Sequence, residues 1–217
     1  MKLFNLIFGV ASLFAGVAFA SDFKVSAGAS TANMYHGVDL SKRGMSAAVG
    51  VEGVTDAGFF VNWKASTVSL GSPSTLNLQH LIDAGYGAKV RDALVSFGLR
   101  KVAYTGTALT ATNNHEAFLS ATDGRFYASV RKEMTHTKNT GVELAYSMPV
   151  AENVVAHVGY EYINYGTSRF DYHGVSVGGT YKFSPNLTAD VSFIKAGRDA
   201  FGAQLPKRAV ASISYLF

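Results

Sequence analysis

Cysteine is absent from this chain of 217 residues, which excludes a disulfide scaffold and any thiolate-ligated metal site. Charge is scarce: 16% of the residues are Asp, Glu, Lys or Arg, against about 25% in an average soluble domain. Beyond the N-terminus there is no long apolar run, so a bundle of membrane-spanning helices is excluded. Yet 48% of the residues are hydrophobic. The net charge of +4 is too small and too dispersed to mark a nucleic-acid-binding surface. The apolar residues must therefore be distributed periodically.

The one continuous apolar run opens the chain. A Lys at position 2 precedes Leu3 to Phe19, and Ala18-Phe19-Ala20 is a small-residue cleavage signal followed by Ser21-Asp22. This pattern predicts a secretory signal peptide over 1–20 and a single domain over 21–217. An uncleaved membrane anchor is the alternative. With no Cys after the cleavage signal, a lipoprotein is excluded.

Two-residue alternation fills the rest. At the C-terminus Ala209, Ala211, Ile213, Tyr215 and Phe217 share one parity, against Arg208, Ser212 and Ser214 on the other. A strand turns successive side chains to opposite faces, so this segment has one apolar face and one small or polar face. The same pattern predicts strands near 23–34, 45–52, 59–66, 76–86, 93–102, 115–121, 126–133, 142–148, 154–162, 173–183 and 187–194. His80 and Leu81 break the rule in the fourth segment, and 104–122 is the least periodic stretch. Long connections (35–44, 68–75, 104–114, 134–140, 164–171, 196–206) alternate with short ones (53–58, 87–92, 122–125, 149–153, 184–186). Twelve strands with alternating short and long links predict an all-β, up-and-down antiparallel barrel of the outer-membrane type. Strands of about 9–11 residues also suit a tilted bilayer crossing.

The minority parity is too polar to build a dry core, so the apolar parity is expected to face lipid. Phe23, Phe59, Tyr86, Phe126, Tyr146, Tyr181, Phe183, Tyr215 and Phe217 then gather at the periplasmic ends of their strands, the place of an interfacial aromatic girdle. Trp63, Tyr160, Tyr162 and Phe193 lie toward the outer ends. The terminal Phe217, with Tyr215 and Ile213 at alternate positions, is similar to the C-terminal signal that barrel-insertion machinery recognises in bacterial outer-membrane proteins.

The lumen parity carries the functional residues. Small side chains such as Ser26, Gly28, Ser30, Gly50, Ser176, Ser212 and Ser214 leave room for water. Lys24, Lys64, Arg100, Arg131, Lys182 and Arg208 stand against Glu52, Asp83, Glu133, Glu143, Glu161 and Asp190. This balance admits a polar channel for small solutes, or a lumen closed by mutual ion pairs or by an inserted loop. Lys101, Lys132 and Lys195 fall on the lipid parity at outer strand ends, where they could snorkel or meet lipopolysaccharide phosphates. None of the six His residues is followed two positions later by Ser, the spacing that would place a base and a nucleophile on one strand face. His173 and Ser176 fall on opposite faces, and His36, Asp39, Asp171 and His173 supply only rim letters. No catalytic residue, metal site or cofactor is expected, although an outer-membrane hydrolase remains the third reading.

Residues 31–40, TANMYHGVDL, resemble the S-x-Y-x-F/Y-R-G-V/I-S motif of the TorF-type porins (the Gcw_chp domain family). Residues 58–66, GFFVNWKAS, resemble the strand that follows it in that family. His36 stands where the family usually has Arg, and Asn33 where it usually has Tyr. The resemblance implies a bacterial outer-membrane barrel of porin type. Together these readings predict a monomeric barrel in the bacterial outer membrane, in contact with lipid, lipopolysaccharide and the insertion machinery. It would pass small hydrophilic solutes and bind no nucleic acid. The runner-up is a structural or adhesive barrel with a blocked lumen.

Overall fold

Alternating sequences form strands whose backbone groups need partners on both sides, and closing the sheet on itself supplies them all. The computed structural model describes residues 21–35, 38–41, 44–69, 77–106, 113–135, 138–164, 171–196 and 207–217. The expected signal peptide at 1–20 lies outside them, as do Leu76, His36 and His136.

Among the described residues twelve antiparallel strands close into a barrel. They are β1 (Asp22–Ser30), β4 (Ser46–Val54), β5 (Phe59–Val68), β6 (Asn77–Val90), β7 (Ala93–Thr105), β8 (Asn114–Thr122), β9 (Phe126–Glu133), β10 (Thr140–Ala151), β11 (Val154–Asn164), β12 (Tyr172–Lys182), β13 (Leu187–Ala196) and β14 (Arg208–Leu216). Each pairs with its sequence neighbour, and β1 closes the ring by pairing with both β4 and β14. A two-stranded hairpin, β2 (Met34–Tyr35) with β3 (Val38–Asp39), sits between β1 and β4. Both strand termini of the barrel, at Asp22 and Leu216, fall at the end that carries the short turns.

The turns are tight for local reasons. Gly58 and Gly124 have φ of 90° and 89°, a region that glycine enters without strain. In the second of these turns, Oδ1 of Asp123 accepts the backbone N–H groups of Arg125 at 2.9 Å and Phe126 at 2.7 Å. Those donors, Phe126 first, hold the exposed Asp123 carboxyl below its ordinary pKa. Two expected turns are shorter than the sequence pattern implies. β6 and β7 stay paired to Val90 opposite Ala93. Pro149 remains in β10 opposite Val155, with a register shift before Ala151, so the proline occupies an irregularity rather than ending the strand.

The outer surface is apolar: Phe97 is 57% exposed, Leu99 56%, Val177 57% and Phe193 62%. A band of this kind is what a barrel presents to hydrocarbon. At the short-turn end the aromatics meet one another. Phe59 and Tyr86 stand 5.2 Å apart, Tyr86 and Phe97 6.0 Å, Tyr181 and Phe183 4.8 Å, and Tyr215 and Phe217 4.8 Å. His80 and Leu81 depart from the apolar–polar rule as expected, while the strand itself runs on through them. Alternation of faces continues, with Leu81 on the wall of the lumen. His80 shares the outward parity of Ile82, where it stacks on Trp63 at 6.2 Å and lies 3.2 Å from the Thr105 hydroxyl. A polar ring is tolerated there because an indole covers it and a hydroxyl satisfies it.

The buried residues gather inside the long-loop half, beneath the first long connection. Ala32, Leu40 and Ser41 of that connection are buried, as are Gln79 and Val102 on the wall. The connection is pinned to the end of β5. The Asn33 side-chain amide donates to the Ser66 hydroxyl at 3.0 Å and the Thr67 carbonyl at 3.3 Å, and the Ser69 N–H donates to the Leu40 carbonyl at 2.8 Å.

Candidate functional site: the barrel lumen

The pinned connection delivers Met34 and Tyr35 into the lumen, where both line a cavity of about 440 Å³. The Tyr35 hydroxyl donates to Oε1 of Glu116 at 3.1 Å. Glu116 lies on β8 directly opposite Glu133 on β9. Both carboxylates are nearly covered, with Glu116 3% and Glu133 7% exposed.

Two guanidinium groups border this point. Arg100 on β7 is the cross-strand partner of Asp83 on β6, and it grips that carboxylate through two bonds, Nε to Oδ1 at 2.7 Å and Nη2 to Oδ2 at 2.9 Å. Its guanidinium also lies 5.9 Å from the centre of the Phe118 ring. Forked geometry of this kind holds an Arg in one orientation. Arg131 reaches further. It starts on β9, passes over Gly141 on β10, and bonds Glu161 on β11 through Nη2, with Glu143 3.6 Å from Nη1. The crossing needs a glycine, because a Cβ at 141 would stand 2.6 Å from Arg131 Nε. The result is a charged belt across β6 to β11 at mid-barrel.

Open space lies on both sides of the belt. The cavity of about 440 Å³ reaches Lys64, Glu161, Tyr172 and Ser176. A second, of about 360 Å³, is lined by Glu52, Asn62, Asp83, Glu116, Phe118, Ser120 and Ser129. The two share Arg100, Arg131 and Glu143 as walls. A third, of about 350 Å³, runs along Ser26, Gly28, Ser30, Ala48, Gly50, Ser212 and Ser214, and borders the others at Lys64 and Glu52. This is the small-residue wall that the parity pattern predicted.

The predicted lumen charges do not all converge. Lys64, Glu52, Asp83, Arg100, Arg131, Glu143 and Glu161 line the two main cavities, and Glu133 lies just behind them. Lys24 sits instead at the short-turn end, 3.2 Å from Asp22 and 48% exposed. Lys182, the last residue of β12, is exposed at the same end. Arg208 opens β14 at the long-loop end. Asp190 belongs to a separate network, where its carboxylate lies 2.6 Å from His157 Nε2 and accepts the hydroxyls of Thr180 at 2.9 Å and Ser192 at 2.6 Å. Ser192 gives its proton toward Asp190 and not toward His157, so these groups form a strut rather than a base with an aligned nucleophile. Among the described residues no group of three or more His, Asp or Glu could hold a metal ion.

Sequence reasoning passed over Tyr35 and Glu116. The signal for Glu116 was present, since it opposes the apolar parity of Ala117, Leu119 and Ala121. Nothing local could have placed Tyr35, which reaches the lumen only because its connection folds inward. On the outer face Lys101 is exposed between Ile82 and His115, and Lys195 is exposed opposite Val175. Lys132 is spent on its own hairpin, donating to the Lys138 carbonyl and, at 2.8 Å, to the Thr140 hydroxyl. His173 is on the outer face as well, against Tyr160 and Tyr162, while Asp171 accepts the Tyr162 hydroxyl at 3.1 Å.

This barrel is similar to solved porins over about nine-tenths of the chain. The KdgM porin superposes with a TM-score of 0.62 at 13% identity, over 89% of this chain and 99% of that one. The fold is that of an outer-membrane porin. The NanC porin gives a TM-score of 0.56 at 9% identity, over 90% and 98% of the two chains. The Acinetobacter baumannii outer membrane protein Omp33 gives 0.53 at 8% identity, over 92% and 98%. No protein-family model matches the chain, and no curated protein matches it. The porin-type barrel implied by the resemblance of residues 31–40 and 58–66 is present. Membership of the TorF-type family has no matching model. Alternation builds such a barrel from many unrelated sequences, so two short motifs carry little about descent.

Proposed function

We propose that this protein is a diffusion channel of the bacterial outer membrane, and that small hydrophilic solutes pass through its lumen beside Tyr35. The observation that carries this reading is the pair of polar cavities, about 440 and 360 Å³, that share Arg100, Arg131 and Glu143 as walls. Facing charges on a narrow aqueous wall orient water and sort solutes. Residues 1–20 act as the export signal, and Phe217, Tyr215 and Ile213 as the mark read by the insertion machinery. Lys101 and Lys195 contact lipopolysaccharide phosphates, while Lys132 contributes less because its ammonium already has two acceptors.

One observation favours a second reading. The inserted hairpin bonds Tyr35 to Glu116 in mid-lumen, as a plug would. Planar-bilayer recording of refolded protein separates the two. The channel reading expects conductance from the wild type, and a rise of about twofold or more in Tyr35→Ala as the constriction widens. Conductance in Tyr35→Ala alone would support the plugged barrel, and its absence in both would remove the channel.

A further inference from the structure

We infer that the central lumen is acidic and selects cations and cationic solutes over anions, although the chain as a whole is basic. This inference rests on the channel reading and adds the class of solute. The twelve lumen charges legible from alternation balance, but their positions in the barrel do not. Lys182 ends β12 and Arg208 opens β14, while Lys24 stands opposite Glu52 in the register but reaches Asp22 at 3.2 Å, and none of the three lines the cavities described above. The described charged residues lining the two main cavities are Lys64, Arg100 and Arg131 on one side of the balance. On the other are Glu52, Asp83, Glu143 and Glu161, joined by Glu116 from outside those twelve, for a net formal charge of −2, and Glu133 stands just behind the wall.

Geometry deepens the imbalance. Both guanidinium groups are held against carboxylates, Arg100 in a forked pair with Asp83 and Arg131 between Glu161 and Glu143. An anion entering the belt would have to compete with these fixed acceptors for the same N–H groups. A cation meets the surplus carboxylate charge directly. The Debye length is about 10 Å at 0.1 M salt, and low-dielectric walls focus the field of a surplus charge into the lumen.

The test is the reversal potential of single channels in a KCl gradient. The inference expects a potassium-to-chloride permeability ratio of about 3 or more near 0.1 M salt, falling toward 1 near 1 M as screening grows. The variant Glu116→Gln with Glu133→Gln should bring the low-salt ratio down toward 1. Lys64→Gln, which disturbs no paired carboxylate among the described contacts, should raise it, and it keeps the test open if the double variant does not fold. A wild-type ratio at or below 1, or an increase in chloride preference in Lys64→Gln, overturns the inference while leaving the channel standing. Absence of conductance from every form overturns the channel itself, and the inference with it.

Discussion

Replacing Gly141 by Ala should detach Arg131 from Glu161. The added Cβ would stand 2.6 Å from Arg131 Nε, 2.9 Å from Cγ and 3.1 Å from Cζ. Ordinary contacts begin near 3.5 Å, so the stem must retreat by about 1 Å. Arg131 is buried on its wall side, and the space open to it is the pair of cavities it borders. The guanidinium would leave its bond to Glu161, and a hydrogen bond between charged partners is worth about 1.5–3 kcal/mol. Against this, Ala in place of Gly lowers the entropy of the unfolded chain and returns about 0.4–1 kcal/mol. The expected net destabilisation is therefore about 1–2 kcal/mol. Gly179→Ala is the matched control, since its Cβ would meet only the Val155 carbonyl at 3.6 Å, an ordinary contact. That control should be neutral or slightly stabilising. The assay is urea unfolding in detergent, followed by far-UV circular dichroism and by the fluorescence of the single Trp at position 63. A double-mutant cycle completes it: in a Glu161→Gln background, where the charged bond is already gone, Gly141→Ala should cost far less. If Gly141→Ala matches the control, or its penalty is the same in both backgrounds, the crossing of Arg131 over Gly141 does not carry the stability assigned to it.

Further outcomes follow from other sites. Gly98→Ala should destabilise the barrel by about 1–3 kcal/mol, because its Cβ would meet the Ala84 carbonyl at 2.4 Å and the Gly85 Cα at 3.0 Å; an unchanged thermal midpoint would contradict this. The Asp123 turn should lose support in acid. Its carboxyl pKa is lower folded than unfolded, so its contribution is complete above the ordinary carboxylate value near 3.9 and fades as pH falls through the folded value. Amide exchange at Phe126 should show this loss in the wild type and not in Asp123→Ala. Phe217→Ala should lower the amount of barrel assembled in the outer membrane without changing its thermal stability once folded, read by the heat-dependent shift in gel mobility. A large loss of stability instead would make Phe217 a packing residue rather than an assembly mark.

Much of the barrel is legible before folding because alternation is local. Whether Val175, Val177 and Tyr181 face outward depends only on their parity, and β12 bears this out. The same holds for the aromatic girdle, since strand ends follow from the turns. Of the uncertain stretch 104–122, the described residues are the end of β7 and all of β8, whose alternation is weakened by an inward Phe118. His80 and Leu81 do break the apolar parity, and the backbone hydrogen bonds of β6 with β5 and β7 hold the register through them.

The sequence by itself determined the class of molecule: a closed sheet with an apolar exterior and a polar interior, because period two leaves no other way to bury its backbone. It also determined which charges share the inner face. Only the tertiary structure decided where along the barrel those charges stand. Cross-barrel proximity depends on register, which brings Asp83 opposite Arg100, Glu116 opposite Glu133 and Lys24 opposite Glu52, and puts Lys182 and Arg208 at strand ends. It decided as well that Tyr35 would narrow the lumen, since a connection folds inward only when a wall such as Ser66, Thr67 and Ser69 is already in place to bind it. Six charges against six is a balance in composition, and the folded barrel distributes them unevenly and adds Glu116.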